Sequence, residues 1–413
     1  MQAACALVVI CTGTICAVSL AREVPPALNV DVRTSQPGSP SVSVPVSFAA
    51  PMDRRDLAPG ASQYLVSSEG VIHACQVEPF GEPPVDRGYR WANLSASLPP
   101  VDERYTLLVA HESTRPKVPI AGAMSVSPSE VILFTESTRV SLSTWRFRVL
   151  DAVEVGSRQV VPPYVEGLIN PQQGMALVVT DTYRYADFTM KARAVDDGFS
   201  MSARGPTRAS AIYSGAFKHE YIDDIPFDVT ISLFSNDVIE ITTSISQSAF
   251  DDDIYELKSV VITLPLVLES AARLSFGGDG HTVVGEKRWH GSAALHVDDG
   301  EGYRLEDAEG REISGKGPLS WVHYGSREGG AGFMWEPRCA PFSFEVADYD
   351  QDALVISMTP AEIESVGFVA RAFVIFDDGF DKRIDLDALA RALARPPRAQ
   401  VDDRYVRYIM GVR

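Results

Sequence analysis

FDVTISLFSNDVIEITTSISQSAFDDDIYELKSVVITLPLVL, residues 227–268, is the stretch whose reading decides the architecture. Phe227, Val229, Ile231 and Leu233 alternate with Asp228, Thr230 and Ser232, the period of two expected of a half-buried strand. Ser235-Asn236-Asp237 supplies turn chemistry, and Ile239, Ile241 and Ile245 then alternate with Glu240, Thr242 and Ser244. Beyond the acidic link Asp251-Asp252-Asp253, a third run puts Val260, Ile262, Leu264, Leu266 and Leu268 on one face. The spacing predicts a three-stranded antiparallel meander with one apolar face. Such a face needs a second layer to cover it, so a β-sandwich is the first inference.

Working outward, similar patterning dominates residues 120–380, which are expected to form one large antiparallel β-sandwich. Before it, short strand candidates at regular spacing over residues 42–115 predict a compact β-barrel. Residues 22–41 are rich in Pro, Ser and Val and read as a linker. After the sandwich, residues 384–394 have helical spacing, with Asp385 near the start and Pro396-Pro397 past the end. The fold class expected is therefore all-β with a short C-terminal helix, in 413 residues long enough for more than one core.

Residues 3–20 form an uncharged apolar run, and Ser19-Leu20-Ala21 offers the small residues of a cleavage site. Residues 1–21 are thus expected to be a signal peptide for a secreted or periplasmic protein, with an N-terminal membrane anchor as the alternative. Cys5, Cys11 and Cys16 belong to that segment. Cys75 and Cys339 remain, either to pair in an oxidising compartment or to stay buried and unpaired. A net charge of −18 argues against nucleic acid as a partner, because phosphate binding needs clustered Lys and Arg.

No stretch is a catalytic motif that stands alone. His323, between Trp321 and Tyr324 and their neighbours, offers aromatic rings for a pyranose face and an imidazole for hydroxyls. Trp335, Glu336 and Arg338 form a second such group; Lys287-Arg288-Trp289-His290 sets cations beside an aromatic and an imidazole, which suits an acidic sugar. The competing reading puts the tryptophans in the core and the charged runs in solvent. Calcium is the one cofactor weighed, at Asp251-Asp252-Asp253. That run lacks the spacing and Gly of an EF-hand loop, so a solvated link is preferred and no metal ligand is assigned.

The order of several weak motifs over residues 42–410 resembles the PcRGLX/YetA-like family, the exo-rhamnogalacturonan lyase-like proteins. The carriers are Val44-Pro45-Val46-Ser47-Phe48-Ala49-Ala50-Pro51-Met52 with Asp56-Leu57-Ala58-Pro59-Gly60, then Asp86-Arg87-Gly88-Tyr89-Arg90-Trp91. Ser320-Trp321-Val322-His323-Tyr324, the run 333–341 and the run 388–399 continue the series. The resemblance implies an N-terminal RIFT-type barrel, a central β-sandwich and a C-terminal α/α-toroid. It also implies a polysaccharide partner, possibly of the rhamnogalacturonan type. Residues 381–413 are expected as a helical tail leading toward a toroid that this chain lacks. The family's Lys-Thr-His-Glu strand is replaced by Phe368-Val369-Ala370-Arg371-Ala372. A uronate lyase needs a cation or metal to neutralise the carboxylate and a base to take the proton, so both departures argue against independent catalysis. The expectation is a carbohydrate-associated protein that binds acidic polysaccharide. The alternatives are an active lyase, with Arg288, His290, His323, Arg338 and Arg371 lining a groove, and a cell-surface interaction module without a sugar site.

Overall fold

The computed structural model describes residues 7–11, 14–18, 27–34, 42–53, 56–57, 62–80, 89–110, 116–163, 174–250, 254–267, 272–278, 281–284, 293–297, 302–306, 312–317, 319–326, 329–339, 342–348, 352–363, 367–377 and 385–410. Strands dominate them, as the alternating pattern predicts, and every ladder is antiparallel. Three sheets carry the fold, with a separate two-stranded pairing of Leu7–Cys11 and Thr14–Val18. No described helix is long and apolar enough to cross a membrane.

Within the 17-stranded large sheet, residues 227–245 form the expected hairpin: Ile231 pairs with Ile241 and Phe227 with Ile245. Val229, Ile231, Leu233 and Ile241 are at most 1% exposed. The third strand departs from expectation. Tyr255–Pro265 does not extend the hairpin but pairs with Gly174–Asp181 and Asp352–Met358. The second edge of Val238–Ile245 is already taken by Gly367–Asp377, so the chain crosses to the opposite layer through a 3-10 turn at Gln247–Phe250. Val260, Ile262 and Leu264 then join one core with Ile239, Ile241 and Val374. The Thr243 hydroxyl reaches the Met175 sulfur, 3.6 Å away, across that core. The alternation was a sound guide to burial and a poor one to pairing.

The large sheet bends through Ala186–Arg204, whose first part pairs with Gly174–Asp181 while register shifts interrupt its ladder to Arg208–His219. A five-stranded meander, Gly122–Ser127 to Arg158–Val161, packs on this bend, with the Phe147 ring 5.0 Å from Tyr213 and 5.3 Å from Phe227.

The N-terminal unit is a nearly closed, barrel-like sheet of seven strands. Its order is Arg398–Val401, Asn29–Arg33, Glu103–Ala110, Ser62–Ser67, Ile72–Pro79, Tyr89–Leu98 and Val44–Asp53. Two of these strands lie where none was expected. Asn29–Arg33 falls in the stretch read as linker, because its Val30 and Val32 alternate over only five residues. Arg398–Val401 falls in the tail read as an approach to a toroid; it pairs instead with Asn29–Arg33, and Tyr405 of the helix Asp403–Met410 enters the barrel core. The other helix, Leu386–Ala394, starts where its capping residue predicts: the Asp385 carboxylate accepts the Ala388 N–H at 2.9 Å.

Replacing Gln400 with Pro removes the backbone donor that faces Asp31 in the ladder. The expected result is a loss of about 3 kcal/mol, read as faster hydrogen exchange of residues 29–33 and 398–401 than in the large sheet.

Polar contacts dock the barrel on the large sheet. The Gln76 side-chain oxygen accepts from the Thr207 hydroxyl (3.2 Å) and the Arg208 N–H (3.1 Å), and the Asn236 amide donates to the Ser43 carbonyl at 2.6 Å. Cys75 and Cys339 are both free and buried, one in the barrel core and one in the large-sheet core. Burial pushes the Cys75 thiol up to about 12.

Candidate functional site

Pairing of Val238–Ile245 with Gly367–Asp377 sets Thr242 opposite Arg371 and Glu240 opposite Phe373. Alternate residues share a face, so Glu240 and Arg371 point to the same side of the sheet, away from the core that receives Ile241 and Ala372. Arg371 Nε lies 3.0 Å from Glu240 Oε1, an ion pair without the alignment of a hydrogen bond. The Glu336 N–H donates to the Arg371 carbonyl at 3.2 Å, which brings the Glu336 carboxylate to 3.8 Å from Arg371 Nη1. Arg338 Nε stands 3.8 Å from the other Glu336 oxygen. The result is a row of alternating charge: Glu240, Arg371, Glu336, Arg338.

The row has a largely buried end at Glu240 and an open one at Arg338. The Glu240 side chain is 19% exposed, Glu336 26%, Arg371 42% and Arg338 75%. Burial pushes the Glu240 carboxyl up, against the opposing pull of Arg371 and Arg208. Arg208 belongs to the barrel junction, where its Nη2 meets Glu78 at 3.2 Å. Arg208 Nε and Arg371 Nε have no hydrogen-bond partner among the described residues. Partly open carboxylates accept from hydroxyl groups and the guanidinium groups beside them donate to hydroxyl oxygens.

Among the described residues, most of those singled out in the sequence do not converge. Trp321, Tyr324 and Trp335 are 4–5% exposed and sit in cores. His323 is 8% exposed, with Nε2 at 2.7 Å from Asp377 Oδ2. Asp377 and Arg371 share one strand, six residues apart, which is about 20 Å. Arg338 and Arg371 do meet, through Glu336. Arg288, His290 and Asp251-Asp252-Asp253 lie outside the described residues. Glu240 was missed as a site residue, since at an alternating polar position it reads as solvent-facing. Only the register with Arg371 reveals it.

No family model and no curated protein matches the chain. Solved structures do. A glycosyl hydrolase family 38 protein from Enterococcus faecalis superimposes with a TM-score of 0.53 at 8% identity, over 92% of this chain. An alpha-mannosidase from Enterococcus faecalis V583 gives 0.51 at 9% identity, again over 92%. This chain spans about half the length of each, 48% and 46%. A galactose 1-epimerase from Lactobacillus acidophilus NCFM matches at 0.36, with 9% identity over 64% of this chain and 100% of its own. The fold is thus shared with β-rich parts of carbohydrate-processing proteins. None of these three structures is a rhamnogalacturonan lyase.

Proposed function

We propose that this is an exported, carbohydrate-associated β-protein whose Glu240–Arg371–Glu336–Arg338 row receives the hydroxyls of a glycan. The observation that carries the reading is the row itself: paired donors and acceptors running from a largely buried carboxylate to an open guanidinium. The fold shared with carbohydrate-processing proteins supports it. The apolar run at residues 3–20 supports export.

Two cations face two carboxylates along the row, and this balance suits a neutral, hydroxyl-rich chain. A second reading keeps the acidic polysaccharide and the relation to rhamnogalacturonan lyases. It is favoured by Arg338, the most open cation of the row and the one best placed to meet a uronate.

Titration calorimetry with neutral and uronate-bearing oligosaccharides separates the two. On the main reading Arg371→Ala weakens binding of neutral ligands by about tenfold or more, as expected for charge-assisted hydrogen bonds. On the second, Arg338→Ala selectively removes a salt-sensitive affinity for uronates. Heat from neither ligand class sinks both. An ultraviolet rise from an unsaturated uronate product would add lyase activity to the second reading.

A further inference from the structure

Three tyrosines at one end of the large sheet are almost fully open: Tyr183 75%, Tyr185 88% and Tyr221 70% exposed. They do not sit on slack loops. The Asp181 carboxylate, itself buried, accepts the N–H groups of Tyr183 and Arg184, both at 2.9 Å, and the Asp181 carbonyl accepts the Tyr185 N–H at 2.8 Å. On its other side the turn is fastened to Ile254, whose carbonyl accepts the Thr182 N–H and hydroxyl, both at 3.0 Å. Tyr185 is held at φ 51°, a left-handed conformation that a bulky side chain rarely adopts. Phe188 on the strand that leaves this turn, and His219 and Tyr221 in the neighbouring hairpin, form a row of rings at centroid spacings of 5.3 and 5.7 Å, running out to the exposed Tyr221. Three large rings thus face solvent at one end of the sheet, two of them on a hydrogen-bonded turn, and offer a surface on which an occupant can pack.

The surrounding charge indicates which kind. Lys218 pairs with Asp224 at 2.8 Å, Lys258 pairs with Asp187, and Arg184 lies 3.7 Å from Asp181. Each of these cations already has a carboxylate, and Asp223 adds further negative charge at the exposed tip. Nucleic acid, anionic lipid and uronate chains are therefore all disfavoured. Rigid tyrosine rings offer flat apolar faces with a hydroxyl at the rim, which suits the C–H faces and hydroxyls of sugar rings.

We propose that the Tyr183, Tyr185 and Tyr221 rings form a second glycan-binding surface, one that takes neutral polysaccharide by stacking. It rests on the carbohydrate reading for the class of ligand, but not on the charged row. Tyr221 and Ser232, the partner of Glu240 in the ladder, are eleven residues apart along one chain direction, about 35 Å.

Affinity electrophoresis of the full chain through gels containing mannan, β-glucan or polygalacturonate tests the proposal. Retardation is expected in at least one neutral gel, and Tyr183→Ala/Tyr185→Ala/Tyr221→Ala should weaken it by about tenfold. The same triple variant should keep the wild-type melting temperature, because the three side chains are exposed. Migration without retardation in every neutral gel overturns the proposal, as does retardation only by polygalacturonate or equal retardation of the triple variant. Loss of retardation in Arg371→Ala but not in the triple variant assigns binding to the charged row and overturns this surface alone.

Discussion

Arg371→Ala is expected to destabilise the protein by about 2–3 kcal/mol near neutral pH, and the deficit is expected to shrink on acidification. The guanidinium is the largest favourable influence on the Glu240 carboxylate, which is only 19% exposed. Removing one partner of a largely buried ion pair typically costs about 3–5 kcal/mol; the lower figure allows for the 42% exposure of Arg371 and its solvent screening. The pH dependence follows from the direction of the shift. Burial already holds the Glu240 carboxyl above the usual glutamate value of 4.5, and without Arg371 it rises further. A carboxyl raised in the folded state binds more protons there than in the unfolded chain, so its penalty is fully present above the folded pKa. The penalty fades as pH falls through that value toward 4.5. Urea unfolding at about pH 7 and about pH 5 measures both limbs. A deficit that is the same at the two pH values would mean that Arg371 acts through packing alone.

His323→Ala is expected to have a larger effect, about 3–5 kcal/mol, and to leave glycan binding by the folded fraction unchanged. His323 and Asp377 tie the hairpin Trp321–Trp335 to the strand Gly367–Asp377, with side chains only 10% and 11% exposed. Glycines make room for this contact. A Cβ on Gly330 would lie 2.9 Å from His323 Nε2 and 2.7–2.8 Å from the Gly325 and Tyr324 backbone; one on Gly325 would lie 2.7 Å from His323 Cε1. Gly330→Ala is therefore expected to destabilise by about 3 kcal/mol through overpacking, although the site it disturbs is polar. Thermal scans of both variants, followed by the oligosaccharide titrations, check the pair. Lost affinity in a His323 variant that melts like wild type would return His323 to the sugar-facing role first considered for it.

How much of this was legible in the sequence differs from one residue to the next. Val229, Ile231 and Ile241 announce their burial by alternation, because the period of two is local. Tyr255–Pro265 also announces its apolar face. Its choice of Gly174–Asp181 over Val238–Ile245 depends on which edges other strands have already taken, and this is a property of the whole sheet. Arg398–Val401 is four residues long and pairs with the far end of the chain, so neither length nor pattern marks it. The site follows the same logic. Arg338 and Arg371 stand out as cations, but the residue that gives them chemistry is Glu240, which becomes special only in register with Arg371. Trp321 and Trp335 misled in the opposite direction: aromatic residues attract functional readings, yet bulk drives them into cores far more often.

The strand Arg398–Val401 has a consequence for the order in which the protein is made. The barrel strands up to Glu103–Ala110 precede the large sheet in the chain, so they leave the ribosome while that sheet is still being synthesised. The ladder on Asn29–Arg33 and the place filled by Tyr405 must wait for residues 398–405. The barrel is thus begun before the large sheet and completed after it. Until then it carries an open edge next to Asn29–Arg33, exposed to other nascent chains and to whatever chaperone accompanies it.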